Sequence, residues 1–488
     1  MKISYLPIED RKVLKVLRHT ESIEEIINIL KGVVSRRVSL HSLMEYSKWF
    51  LLLSKEQLIT NPELLYGMAM IYFLKGDFDK TSELRSLMNE EDKYTVLYDV
   101  MSSRKNIVEQ SSGIKEIVHN FPEDYFMLTV ARPYAMNGLW DITPYCEDII
   151  NKTSKELEET LRAMFPHAID DIMDILMAES IYQRNGCYEA LVILLSKFPV
   201  LEKKKDLRLL FVALTLETYI MIINGQASST HSLMENLKQK MITNELKIYL
   251  PNVEALDAWA AMYDGEYAKV TNWMNNEAPD EYNEFSFLDL FRYMVKMRVY
   301  IIQGKYLSVT KLASKLKPLL EETHRYMDMC ELHMLWAISD DAAGRTKEAY
   351  EHIKEMLNLS SKYRYDRVIA DEGMRMFMLL KKYAKDCGSN KYLKELIKLT
   401  EKTAYLHVGY LKKQLSDKQE LTNVEMKVLR LIAQCHTNKE IVDIMGIALD
   451  TVKQHCSHIY HKLEVKNRQQ AVKAAVEIGI LNSNTLLQ

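Results

Sequence analysis

Five glycines, Gly186, Gly225, Gly265, Gly304 and Gly344, follow one another at steps of 39, 40, 39 and 40 residues. The chain has only 15 glycines in 488 residues, so this spacing constrains the fold more than any other feature. Gly76 has similar surroundings further upstream. An aromatic stands two residues after four of these glycines (Phe78, Tyr188, Tyr267, Tyr306). A tyrosine stands four residues before three of them (Tyr72, Tyr182, Tyr300), and an alanine seven before three (Ala69, Ala258, Ala337). The pattern predicts one helical hairpin per repeat. The glycine ends the first helix in a left-handed cap that a Cβ would disfavour. The alanine lets the second helix approach closely, and the aromatics fill the wedge between them. One such hairpin cannot bury its own apolar face, so copies must stack into a superhelix.

Composition points the same way, to an all-α fold. Fifteen glycines and ten prolines are too few for an all-β chain, whose tight turns consume both. Hydrophobic residues at 48% exclude a disordered chain. No apolar run approaches membrane-spanning length, and the first twenty residues carry no secretory apolar stretch, so the expected location is cytoplasmic, with no membrane partner. The six cysteines, at 146, 187, 330, 387, 435 and 456, include no C-x-x-C pair. They read as reduced thiols and give no zinc framework.

Residues 122–166 break the repeat with four of the ten prolines, Pro122, Pro133, Pro144 and Pro166. Two readings stand: a long connection between halves of the superhelix, or an inserted loop lining a ligand or partner site. In the second, Arg132, Asn137, Trp140 and Asp141 are the candidate ligand contacts. The repeat fades after residue 388. Lys391 to Tyr410 still reads helical, and Lys412, Lys413, Gln414, Ser416 and Asp417 read as a polar linker.

The net charge of −3 is unevenly spread: residues 416–488 hold nine basic and eight acidic residues, and between Lys453 and Lys473 the only acid is Glu464. This local basic stripe includes Lys462, Lys466 and Arg468, and it suggests one nucleic-acid-binding module on a mildly acidic protein. Capping signals divide the tail into four helices. Thr422 and Glu425 form a capping box for the first, which ends near Cys435. Thr437 caps the second, Asn438 to Met445, and Gly446 makes a turn. The third runs from about Leu449 to Leu463, and Asn467 caps a fourth that ends before Gly479. Helix, glycine turn, helix is the geometry that places its second helix in a DNA major groove. In the third helix Val452, Cys456, Ile459 and Leu463 make a core stripe. That leaves Lys453, Gln454, Ser457, His458, His461 and Lys462 outside, all suited to phosphate oxygens and base edges.

The Tyr–Gly–aromatic offsets resemble the tetratricopeptide repeat (TPR), with a period longer than its usual length of about 34 residues. Over roughly residues 40–385 the chain is similar to the sensor domain of the MalT-like, large ATP-binding LuxR regulators. Three stretches carry the likeness: Trp49-Phe50 through Asn61-Pro62-Glu63-Leu64 to Gly76-Asp77-Phe78; Ala258-Trp259-Ala260 to Gly265 and Trp273; and Asp366-Arg367-Val368 with Asp371-Glu372-Gly373. Those regulators carry a nucleotide-binding domain, but this sequence contains no G-x-x-x-x-G-K-[ST] loop and no G-x-G-x-x-G, so an NTP-driven switch does not carry over. The tail resembles the LuxR-type DNA-binding domain through Leu421-Thr422, Glu425, Val428-Leu429, Leu431-Ile432-Ala433, Thr437-Asn438-Lys439-Glu440-Ile441, Thr451-Val452-Lys453, Ile459, Lys462-Leu463, Asn467-Arg468, Ala471-Val472 and Gly479-Ile480-Leu481.

The resemblance implies that Lys453, Gln454 and Ser457 touch bases. It makes Thr437, Asn438, Lys439, Thr451, His455, Lys462 and Arg468 phosphate candidates, and gives Ala471, Val472 and Ala475 a dimer surface. Cys435 and Glu464 replace family glycines at positions that want a positive φ. Ala448 replaces the usual serine cap of the recognition helix. His455, Cys456, His458 and His461 spread around the helix and are not read as a metal site. No catalytic constellation and no cofactor is expected. The boundaries expected are 1–388 for the repeat sensor, 389–416 for a helical linker and 417–488 for the helix-turn-helix domain. The whole reads as a bacterial transcription regulator and not an enzyme. It is expected to bind double-stranded DNA as a homodimer, under control of a small-molecule, peptide or protein inducer. Two alternatives remain: a TPR-type interaction scaffold, and the output half of a split system with a separate ATPase partner.

Overall fold

The computed structural model describes residues 3–36, 39–102, 104–120, 132–411, 421, 423–463, 465 and 467–477. Expectations placed on Pro122, the polar linker from Lys412, Thr422, Glu464, Lys466 and the Gly479-Ile480-Leu481 end therefore lie outside the described residues. Among those described, every regular element is helical. The chain divides into two compact units: Met1–Met297 with Leu307–Tyr410, and Arg298–Tyr306 with Leu411–Gln488.

In the first unit the glycine period marks helix pairs. These include Pro62–Leu74 with Phe78–Ser86, Ile169–Gln183 with Cys187–Lys204, Leu207–Ile223 with Ala227–Thr243, Leu250–Asp264 with Tyr267–Asn276, and Tyr326–Ala342 with Thr346–Tyr363. The two helices of a pair differ in kind. Leu250–Asp264 is enclosed over nearly its whole circumference, from Leu250 through Tyr263, whereas Tyr267–Asn276 buries only Val270 and Trp273. The first helix of each pair thus lies in an inner layer with apolar neighbours all round, and the second presents one apolar stripe to it. Ala69, Ala258 and Ala337 are all enclosed, as close approach requires.

Gly76, Gly225, Gly265, Gly304 and Gly344 adopt positive φ. Gly186 does not. Its φ is −84°, and Asn185 takes the left-handed position instead, at 67°. Gly186 is required for another reason: a Cβ there would stand 2.4 Å from Ile181 Cγ2. Tyr188 is also a correction, since it is 75% exposed and fills no wedge.

The segment from Arg132 to Thr143 lies inside the first unit. Glu179 accepts the Ala135 amide on one carboxylate oxygen at 2.8 Å and the Met136 amide on the other at 2.6 Å. Arg325, fully buried, donates to the carbonyls of Asn137, Gly138 and Leu139 and to Asp328. Arg132 donates to Asp328 and Glu331, and Asn137 donates to Asp328. Asp141 accepts from Thr143 and from the Met327 amide. Side chains of the repeats thus satisfy five backbone groups of this segment, the amides of Ala135 and Met136 and the carbonyls of Asn137, Gly138 and Leu139, which is how a stretch with only short 3-10 turns survives in an α-helical interior.

Candidate nucleic-acid interface

Four helices make up the C-terminal domain: Asn423–Ala433, Asn438–Met445, Leu449–Lys462 and Arg468–Glu477. Their bounds agree with the capping logic to within a residue or two. The first closes through Cys435, which holds φ at 66° and so takes the left-handed cap, the positive φ expected there from the sequence. The His436 amide then reaches back to the Leu431 carbonyl at 3.1 Å. Thr437 caps the second helix in a reciprocal box: its hydroxyl accepts the Glu440 amide, and Glu440 Oε2 accepts the Thr437 amide at 2.6 Å. Those bonds hold the Glu440 carboxyl below its usual range. Gly446, at φ 65°, ends the second helix.

The third helix starts at Ala448, whose backbone is extended as an N-cap requires but which offers no side-chain acceptor. Val452, Cys456, Ile459 and Leu463 join Val428, Leu429, Ile432, Ala433, Ile441, Ala471 and Ala475 in one apolar core. That stripe fixes which face is left for other work. Lys453, Gln454, Ser457, His458 and His461 are exposed, and Thr451, His455 and Lys462 are half-buried. Asp450 is the exposed acid at the start of this face, and it pairs with Lys453 at 3.2 Å. With side chains 59% and 93% exposed, that pair is weak and easily exchanged for another anion. Thr437 and Lys439 are exposed and Asn438 half-buried, at the start of the preceding helix.

Several residues read from sequence as contacts have internal partners as well. Lys462 donates to Glu425 at 2.7 Å, and Glu425 is 3% exposed. His458 stands 3.8 Å from the same carboxylate. Arg468 donates to the carbonyls of Ile432 and His436, stitching the fourth helix to the end of the first. Ala471 and Ala475, expected on a dimer surface, are fully enclosed in the domain's own core, and Val472 is half-buried against it. Among the residues of that helix whose burial is described, Gln469, Gln470 and Lys473 are exposed. Burial pushes the Cys456 thiol up, which leaves it a core residue with little thiolate character. The sequence reading missed the Glu425 pairing because the two residues lie 37 positions apart with no motif to join them.

In the first unit the candidate ligand contacts are buried: Arg132 is 6% exposed, Asn137 0%, Trp140 6% and Asp141 7%. Arg132 and Asn137 donate to the chain's own carboxylates, and Asp141 accepts from the chain's own amides and the Thr143 hydroxyl. Burial raises the Asp141 carboxyl to about 6, against the pull of Arg325 and the Thr143 hydroxyl.

Comparison with known proteins bears directly on this geometry. Residues 419–475 match the family of bacterial regulatory proteins of the LuxR type, and residues 157–386 match the MalT-like TPR region. This chain joins a MalT-like TPR region to a LuxR-type domain. Curated relatives include the response regulator protein VraR of Staphylococcus aureus and that of Staphylococcus epidermidis, each 41% identical over 71 residues. The matched stretch is 14% of this chain and about a third, 34%, of each relative. Bacterial regulatory proteins are thus what the tail is similar to, and among the described residues no helix is long and apolar enough to cross a membrane.

Proposed function

We propose that this LuxR-type chain is a sequence-specific DNA-binding transcription regulator whose output is controlled through the TPR region. The observation that carries the reading is the third helix of the C-terminal domain. Its apolar stripe is fully used in the domain core, and its opposite face displays Lys453, Gln454, Ser457 and His461 to solvent. Beyond Asp450 that face holds no acid. Lys and Gln on the early turns of such a helix suit the acceptor and donor edges of bases in the major groove. Thr437, Asn438 and Lys439, at the positive end of the preceding helix, suit phosphate oxygens. Homodimeric binding accords with this reading, and its surface falls to the exposed side of the fourth helix rather than to Ala471 and Ala475.

The test is DNA capture by the full chain from fragmented genomic DNA of the source cell, followed by titration of a recovered site. Gln454→Ala and Lys453→Ala should relax preference at defined positions, costing about 1–3 kcal/mol of discrimination for each good base contact. Lys439→Ala should weaken recovered and scrambled duplex alike and flatten the salt dependence by about one ion. Unchanged sequence preference in Gln454→Ala and Lys453→Ala together would exclude this helix from the groove.

A further inference from the structure

We propose that His231, Asp264 and Glu266 form a binding site for a divalent first-row transition-metal ion in the TPR region. The proposal does not depend on the DNA-binding reading. His231 lies on helix Ala227–Thr243, and Asp264 is the last residue of helix Leu250–Asp264. Gly265 follows in the left-handed conformation, at φ 78°, and turns the chain so that Asp264 and Glu266 present their carboxylates to one side. There they meet His231 Nε2 at 3.9 and 3.8 Å. All three donor atoms lie within 4.8 Å of one another. The two separations are too long for hydrogen bonds. Nε2 is shielded from solvent and has no hydrogen-bond partner.

The other side of the ring decides what Nε2 offers. His231 Nδ1 lies 2.6 Å from Oδ1 of Asp257, which is 5% exposed. With Asp257 as its partner, Nδ1 carries the hydrogen and donates it, since a bare lone pair that close to a carboxylate oxygen would be repelled. Nε2 then holds a lone pair aimed at two carboxylates, and a cation among the three would satisfy them all. A carboxylate on the far nitrogen that fixes the tautomer and raises basicity is the usual support of a metal-bound histidine. Lys238 and Lys269 donate to Asp257 at 3.2 and 2.8 Å. They balance the supporting carboxylate, so two negative charges, Asp264 and Glu266, face a divalent ion.

The imidazole selects zinc, nickel or copper over magnesium or calcium, which prefer oxygen alone. Zinc bonds of about 2.0–2.2 Å place tetrahedral ligands about 3.3–3.5 Å apart. The two separations from Nε2 need to close by about half an ångström to reach those values, and the carboxylates can move: Asp264 is 29% and Glu266 52% exposed. Three protein ligands leave a position open to water, which fits an exchangeable ion more than a permanent one. The ion would fasten helix Ala227–Thr243 to the turn between the next two helices. The competing arrangement is visible too. Lys269 Nζ lies 2.8 Å from His231 Nδ1. If that ammonium donates to Nδ1, the hydrogen moves to Nε2, which then has no lone pair to offer an ion.

The experiment is calorimetric titration of the full chain with Zn2+, with circular dichroism melts of each variant in the absence of metal. The double variant Asp264→Asn/Glu266→Gln is nearly isosteric and sits on an exposed turn, so it should keep its fold even where His231→Ala does not. The expected result is a saturable zinc event in the natural chain that weakens at least tenfold in the double variant and in His231→Ala. It should persist in His458→Ala/His461→Ala, which removes exposed imidazoles elsewhere. Zinc uptake of equal affinity and stoichiometry in the natural chain and in the folded Asp264→Asn/Glu266→Gln variant would overturn the proposal, as would the absence of any saturable event.

Discussion

At Ala448 a single methyl stands where the recognition helix wants an oxygen. The backbone at that position is already in the N-cap conformation, at φ −63° and ψ 148°, so a serine hydroxyl would find the amides of the first turn without rearrangement. Ala448→Ser should stabilise the domain by about 0.5–2 kcal/mol. Asp450 already faces the same helix end, which argues for the lower part of that range. A rise in urea midpoint with unchanged slope would bear this out, and a fall would show that the hydroxyl finds no amide. Lys462 raises a different question. It is a phosphate candidate by resemblance, but Glu425, buried beneath it, needs a cation. Lys462→Ala removes the ammonium that donates to this carboxylate at 2.7 Å and should cost about 1–3 kcal/mol of stability. Glu425→Gln/Lys462→Met should recover part of the loss. If Lys462→Ala lowers DNA affinity at temperatures where the domain is fully folded, the lysine acts on DNA as well as on Glu425.

At the scale of the element, the hairpin Tyr326–Ala342 with Thr346–Tyr363 carries a pH dependence of its own. His333 is 5% exposed, and its Nδ1 stands 2.9 Å from Nδ1 of His352, whose ring stacks on Trp336. Burial first, and the facing imidazole second, lower His333 to about 4. The unfolded chain protonates this histidine near 6.5 and the folded chain only near 4. Between those values the unfolded state therefore binds more protons, and stability falls as the solution is acidified. The stabilisation is complete above about pH 6.5, and its loss by pH 5 should amount to about 2 kcal/mol. His333→Gln should flatten the fall in urea midpoint between about pH 7.5 and pH 5, and a parallel fall in the variant would assign the effect elsewhere. This hairpin also shows what a sequence discloses. Gly344 and Ala337 announce its turn and its close contact, because a left-handed cap and a small residue are local demands. The pairing of His333 with His352 is a tertiary fact with no periodic signature. The same division runs through the C-terminal domain. The Thr437 cap, the Gly446 turn and the Val452–Leu463 stripe were legible from spacing alone. The enclosure of Ala471 and Ala475, and the bonds from Arg468 to two carbonyls, depended on which helix packs on which. Residues 132–143 were legible only as a break in the repeat, since nothing local marks Glu179 and Arg325 as the groups that hold them.

For the whole molecule the question is whether the C-terminal domain owns its stability. Among the described residues, the fully enclosed apolar residues of its core all lie between Val428 and Ala475, with Leu421, Leu431, Val442, Met445, Ile447, Tyr460, Val465 and Val472 around the edge. Its helix ends are closed by its own residues: Thr437 with Glu440, Gly446, and Asn467, which accepts the Gln470 amide at 2.9 Å. A fragment of residues 415–488 should therefore fold alone and keep weak DNA binding. A core of this size stabilises a domain by only a few kcal/mol, so the fragment should melt at a modest temperature. Ala448→Ser should be easiest to detect there, because a fixed gain is a larger share of a small total. The measurement is circular dichroism of the fragment, with a cooperative helical melt expected, alongside titration of a duplex recovered by the full chain. A fragment without helical signal would show that residues outside 415–488 complete this domain. A folded fragment that binds the recovered duplex as tightly as the full chain does would place all the DNA affinity here, and would leave the TPR region to act on where and when the domain is presented.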